Sequence, residues 1–172
     1  CNCSRGFSSS PSNAAALSPS SSSLYMWGTD SKGSLLKPAD RADEKKLDVP
    51  TQVADTDWKR AFGLTDNDTD ADNAVTIQSV TCGPTDTAWI LSNGRCFVAG
   101  ENKQGQAGVG HKNAVTTPTE IILPTAADSD NDNETIGVKQ VALGSNFSAF
   151  VDTAGDLYTA GFGGSNFSGM GY

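Results

Sequence analysis

The chain has 172 residues, of which 37% are hydrophobic and 19% charged, with a formal net charge of −8 at neutral pH. That composition is ordinary for a folded protein and excludes a chain disordered throughout, and no apolar run reaches the roughly 18 residues that a membrane-spanning helix needs. Direct nucleic-acid binding is disfavoured, because an acidic surface repels phosphate backbones instead of releasing their counterions, whereas a basic protein partner is compatible with it.

Residues 1–23 hold ten serines and one arginine, Arg5, and the first acidic residue of the chain is Asp30. Such a stretch buries too little apolar surface to offset its ordering entropy and is expected to be a disordered tail. The run Ser4-Arg5-Gly6-Phe7-Ser8 is acid-poor and serine-rich, as at the distal end of an organellar transit peptide. A mitochondrial address is the first reading, a plastid address the second, and a plain linker in a cytosolic or nuclear protein the third. The chain opens on Cys1 and stops at Tyr172 inside a motif, so a fragment of a longer protein is expected. Cys1 and Cys3 lie in the tail while Cys82 and Cys96 lie among strand residues. No disulfide framework is expected from this spacing, and Cys82 and Cys96 are expected as free, buried thiols.

From residue 24 onward the chain is a repeat. Sliding the sequence by 61 residues superposes Gly83–Gly110 on Gly144–Gly171 without a gap, with identities at Gly83/Gly144, Ala88/Ala149, Gly94/Gly155, Ala99/Ala160, Gly100/Gly161, Gly108/Gly169 and Gly110/Gly171. Because all of these residues are small, what recurs is a backbone path: glycine supplies positive φ at turns and admits close approach of neighbouring chains. Larger residues match in kind, as Trp89 with Phe150, Ile90 with Val151 and Phe97 with Tyr158. A third, earlier copy aligns Leu24–Gly28 with Cys96–Gly100 and Gly33 with Gly105, and Pro50-Thr51-Gln52-Val53 with Pro118-Thr119-Glu120-Ile121. The units are therefore 24–82 with a long insert, 83–143 complete, and 144–172 begun.

Within the complete unit the pattern predicts short strands at Thr76–Cys82, Thr87–Leu91, Cys96–Ala99 and Pro118–Leu123. Asn93-Gly94 between two apolar runs predicts a two-residue type I′ hairpin, with Ala154-Gly155 at the matching place. Short strands with glycine punctuation at this period describe propeller blades. The fold class is all-β, a partial β-propeller of about two and a half blades.

The run Val80-Thr81-Cys82-Gly83, then Thr87–Leu91, Asn93–Gly100 and Asn102-Lys103-Gln104-Gly105-Gln106-Ala107-Gly108-Val109-Gly110 resembles the repeat of the regulator of chromosome condensation family. The resemblance covers most of residues 24–172 and implies a closed ring of seven blades in the parent protein, and the family's mitochondrial members suggest an organellar role. It departs from the pattern at Asp86 and Phe147, where the family's usual histidine is replaced, and in the loop Phe162–Ser168.

Other candidate chemistry is weak. Asp66–Asp72 and Asp128–Glu134 resemble calcium loops but carry Ala71 or Asn133 in place of the sixth-position glycine and Ile77 or Lys139 in place of the twelfth-position glutamate. They read as solvated loops. His111 is the chain's one histidine and reads as an exposed loop residue, which leaves no multi-histidine metal site. The loop Gly100–Gly110 lacks the Gly-Lys-Ser/Thr ending of a phosphate loop, so its glycines are read as turns. Core packing is expected for Trp27 and Trp89, and an amphipathic surface site for Trp58. No catalytic residue, cofactor or metal is expected. The functional expectation is a non-catalytic, protein-binding propeller, an assembly or regulatory factor in an organelle; guanine-nucleotide exchange on a small GTPase is the alternative that the resemblance implies.

Overall fold

The computed structural model describes residues 2–6, 23–30, 35–37, 41, 43–65, 74–124 and 136–163, with only the main chain described for 2–6. The strands fall in three antiparallel sheets. The first contains β1 (Asn2–Gly6), β2 (Ser23–Thr29) and β3 (Lys46–Val53) in that order. The second is β4 (Ile77–Cys82), β5 (Asp86–Leu91), β6 (Cys96–Gly100) and β7 (Val115–Ile121), each paired with its successor in sequence. The third contains β8 (Val138–Leu143), β9 (Phe147–Asp152) and β10 (Leu157–Gly161), again as a meander. Three such sheets in succession form a partial propeller.

Successive side chains of a strand point to opposite faces, and in the central sheet both faces are covered. Trp89, Leu91, Phe97 and Ala99 point one way and pack with Leu24, Met26, Leu47 and Val53 of the first sheet. Ala88, Ile90, Cys96 and Val98 point the other way and pack with Val138, Val141 and Phe150 of the third. Every residue of β5 and β6 is consequently buried. This explains why Ala88–Leu91 and Cys96–Ala99 read as continuous apolar runs without polar alternation.

The repeat is visible in individual hydrogen bonds. Gly83 N–H donates to Asp86 O at 2.8 Å and Gly144 N–H to Phe147 O at 2.8 Å; Ser92 N–H donates to Thr76 O at 2.8 Å and Thr153 N–H to Gly137 O at 2.9 Å. β4 and β8 share an irregularity in register, between Ile77 and Ser79 and between Val138 and Gln140. These pairs stand 61 residues apart, as the glycines do. The sheets are also joined directly, by Val138 N–H to Gly94 O at 2.8 Å and Thr81 Oγ1 to Val141 O at 3.3 Å.

Four expectations are corrected. Asn2–Gly6 lies in a strand paired with Ser23–Thr29, so the tail is not disordered there. Ladder bonds use the main chain, which a serine-rich composition leaves free to pair, and β2 would otherwise present an open edge. The hairpin at Asn93-Gly94 is a three-residue loop instead of a type I′ turn. Gly94 has φ 84° whereas Asn93 does not have positive φ, and Leu91 brackets the loop by accepting from Gly94 N–H and donating to Arg95 O, each at 2.9 Å. This is the pattern of a type I turn closed by a left-handed glycine. Cys82 is disulfide-bonded, and only Cys96 remains as a free, buried thiol among the described residues. Finally, Asp55–Ala61 forms a short helix, α1, whose Trp58 is 4% exposed. Trp58 and the adjacent Phe62 fill the wedge between the first two sheets, with Phe62 5.7 Å from Trp89 and 4.7 Å from Phe97 between ring centroids. The Trp58 Nε1 donates to Asp55 Oδ1 at 3.1 Å, which satisfies its one polar atom inside the wedge.

Candidate functional site: the loop between β6 and β7

Residues 101–114 connect β6 to β7 and contain the longest element of the repeat. Asn102 sits at its centre, fully buried and at φ 51°, a conformation that asparagine tolerates better than other side chains do. Its amide Nδ2 donates to the main-chain oxygens of His111 at 2.8 Å and Asn113 at 2.9 Å, and its Oδ1 accepts Ala107 N–H at 2.9 Å. One side chain thus ties three points of the loop together. Gln106 is buried as well: Oε1 accepts Gln104 N–H at 2.8 Å, and Nε2 donates to Asp86 Oδ2 at 3.4 Å.

Asp86, 1% exposed, closes this network from β5. Its Oδ2 accepts from Thr85 Oγ1 at 2.7 Å and its Oδ1 from Asn102 N–H at 3.4 Å, so the buried carboxylate is met by hydrogen-bond donors. Gly100 makes the approach possible. A Cβ there would lie 2.4 Å from Asp86 Oδ1 and 2.5 Å from both Asp86 Cα and Thr85 O. Gln106 O in turn accepts a short hydrogen bond from Ser148 Oγ of β9, which seats the loop on the third sheet.

The repeat glycines behave as two groups. Gly28, Gly94, Gly100, Gly105, Gly108, Gly110, Gly155 and Gly161 have positive φ. Gly83 and Gly144 do not: a Cβ at Gly83 would lie 2.8 Å from Leu143 Cβ, whereas one at Gly144 would meet at 2.9 Å only the ring of Phe147, an exposed side chain that can give way. Gly33, Gly169 and Gly171 fall outside the described residues, as do the acidic runs Asp66–Asp72 and Asp128–Glu134. His111 is exposed and contributes its carbonyl to the loop, with its ring Nδ1 3.5 Å from Asn102 Nδ2. Among the described residues no group of three or more His, Cys, Asp or Glu is placed to hold a metal ion, and no helix is long and apolar enough to cross a membrane.

Two further places have marked electrostatics. Arg95 grips Glu120 through two hydrogen bonds, Nε to Oε1 at 2.8 Å and Nη2 to Oε2 at 2.7 Å, while its guanidinium lies 5.0 Å from the Phe97 ring centroid. Burial, with the Glu120 charge adding to it, pushes the neighbouring Cys96 thiol up to about 12. In the hairpin after β9, burial raises the Asp152 carboxyl, but hydrogen bonds from the main chain of Asp156, Gly155 and Ala154 and from the Tyr158 hydroxyl outweigh it and leave the group below its ordinary value. In the sequence Asp86 stood only as a departure from the family's histidine, and Asn102 and Gln106 only as letters of the glycine-rich element; their shared role appears once β5 and the loop are brought together in space.

The comparisons with known proteins agree with this geometry. Residues 93–151 match the model of the regulator of chromosome condensation (RCC1) repeat. The chain is 28% identical over 139 residues to the Protein RCC2 homolog of Xenopus laevis, covering 80% of this chain and 21% of that protein, so it spans about a fifth of the relative's length. Among solved structures it resembles yeast RCC1 (Prp20) bound to Kap60, at 23% identity and a TM-score of 0.54, over 82% of this chain and 28% of the other. It also resembles Prp20p from Saccharomyces cerevisiae, described with its binding properties to Gsp1p and histones, at 23% identity and a TM-score of 0.52, over 81% of this chain and 26% of the other. With repeat, sheets and loop network all in agreement, the chain carries the regulator of chromosome condensation (RCC1) repeat at residues 93–151 and is a stretch of β-propeller.

Proposed function

We propose that this chain is part of a non-catalytic propeller that works by holding protein partners in the regulation of small GTPases. The observation that carries the proposal is the inward use of polar chemistry: Asp86, Asn102 and Gln106 are spent on the loop's own main chain, which makes the loop a rigid platform for display. The resembling Prp20p is described with protein partners, Kap60, Gsp1p and histones. A net charge of −8 favours a basic protein surface over a phosphate backbone. Fold alone does not name the partner.

Guanine-nucleotide exchange is the sharper form of the same proposal. It requires the propeller to bind the nucleotide-free GTPase better than the loaded one. Release of a fluorescent guanine nucleotide from a panel of small GTPases, with the full-length protein added, tests both. Accelerated release supports exchange, binding without acceleration supports a holding role, and neither across the panel refutes the GTPase reading. We further propose a mitochondrial location, which the acid-poor, serine-rich composition of residues 1–23 supports, although Asn2–Gly6 of that stretch pair in β1. An organellar assembly complex is then the alternative partner. Imaging a fusion of residues 1–35 tests this, and a diffuse signal overturns it.

A further inference from the structure

The dipeptide Asn-Gly occurs once in the chain, at Asn93-Gly94, the tip of the hairpin between β5 and β6. Asn93 is exposed, and the glycine after it has no side chain to shield its nitrogen. The Asn93 Oδ1 accepts Arg95 N–H at 3.2 Å, so the side chain arches back across Gly94. That donor faces the oxygen that gains negative charge when the amide carbon is attacked, and a fixed N–H at such an oxygen lowers the barrier. Asn102 is the contrast: it is fully buried, and both ends of its amide are held by the loop main chain. The matching place in the third sheet holds Ala154-Gly155, which has no amide to react.

The same tip is where the second sheet meets the third. Gly94 O accepts Val138 N–H at 2.8 Å, at the start of β8, and a Cβ on Gly94 would lie 3.0 Å from Gly137 Cα, so the two main chains are in contact. Gly94 N–H is itself engaged, donating to Leu91 O at 2.9 Å. Its nitrogen becomes available when that turn opens, which paces the reaction by local opening of the hairpin and not by global unfolding.

We propose that Asn93 is a hydrolytic modification site whose product loosens the joint between the second and third sheets. Gly94 N–H gives its proton to solvent base, the nitrogen bonds to Asn93 Cγ, and the Cγ–Nδ2 bond breaks with loss of ammonia. Water then opens the resulting cyclic imide. Cleavage of the new N–Cγ bond leaves aspartate, and cleavage of the bond from the Asn93 carbonyl carbon to the Gly94 nitrogen leaves isoaspartate, whose main chain is one methylene longer. No oxidant or reductant enters. In the imide, Gly94 has lost the N–H that Leu91 O accepts; in isoaspartate, the extra methylene has to fit a loop bracketed by Leu91 and Arg95, and Gly94 is displaced against Gly137. The inference rests on the hairpin and not on the regulatory role, so its failure leaves that role untouched.

The test is to incubate the 172-residue chain at pH 8 and at pH 6, digest it and map it by mass spectrometry, with isoaspartate detected by enzymatic methylation of its free carboxyl. The expected result is conversion of Asn93 ahead of Asn102, Asn113 and Asn146, faster at the higher pH, with isoaspartate among the products. The aged chain should exchange its Val138 amide at least about tenfold faster than the fresh chain, whereas the variant Asn93→Asp, which adds the charge without the methylene, should stay within about twofold. The proposal is overturned if Asn93 is intact in the native chain after weeks in which a free peptide spanning Thr87–Val98 has converted fully, or if another of those asparagines leads. It is equally overturned by unchanged Val138 protection in the aged chain, or by the same loss of protection in Asn93→Asp.

Discussion

Replacing Gly100 with alanine tests whether the loop network is built on close approach. The native φ of 148° costs a non-glycine residue about 1–3 kcal/mol. Separately, the new Cβ would meet Asp86 Cα and Thr85 O at 2.5 Å, backbone-anchored atoms that cannot swing away, and relieving such an overlap costs about 1–3 kcal/mol more. The expected loss is about 4 kcal/mol, a large share of the roughly 5–15 kcal/mol that holds a domain folded. Gly110→Ala is the control: φ is 80°, but nothing lies within 4 Å of its Cβ, so only about 1–2 kcal/mol of backbone strain is at stake. Urea unfolding of both variants should place the Gly100→Ala midpoint at least about 1 M below that of Gly110→Ala, given a slope of about 2 kcal/mol per molar. Equal midpoints would refute the close-approach argument and leave conformational strain as the whole reason for the glycine.

Asp86→Ala should cost about 2–3 kcal/mol, because the Asn102 and Gln106 donors lose a buried acceptor, and urea midpoints measure it. Trp89 is completely buried with no hydrogen-bond partner for its Nε1 among the described residues, and Phe150 holds the equivalent place; Trp89→Phe should therefore cost under about 1.5 kcal/mol, against about 3–5 for Trp89→Ala. The Asp152 carboxyl is held below its ordinary value, so its stabilisation is complete above about pH 4 and is lost as pH falls through the lowered native value. Acid unfolding of Asp152→Asn should show a shallower dependence than the parent below pH 4, and identical slopes would count against the hydrogen-bonded hairpin. With its thiol pushed up to about 12, Cys96 should resist iodoacetamide at pH 8 until the chain unfolds; mass spectrometry of labelled peptides reads the result, and rapid native labelling contradicts the burial.

Much of this fold was readable before any coordinate, for a physical reason. Glycines at Gly94/Gly155 and Gly100/Gly161 mark where the main chain must turn or be approached, so an offset of 61 residues between them reports the spacing of sheets. An isolated aromatic between the charged Asp57 and Lys59 reads as surface, whereas the wedge that Trp58 fills exists only once the first two sheets have packed together. Asn93 misled in a related way. Two-residue and three-residue hairpins both use Asn-Gly, and the choice depends on how Leu91 pairs with Arg95, which is a property of the ladder. The pairing of Asn2–Gly6 left no side-chain signature because main-chain groups alone make it.

Because apolar layers cover both sides of β5 and β6, the middle sheet links its neighbours mechanically: among the described residues, α1 packs on one side of that slab and β9 on the other. Stability in such an array is a sum of neighbouring contacts, and the doubly flanked member should open last. Its amides are where the slowest exchange with deuterium will be found, with the outer blades fraying around them.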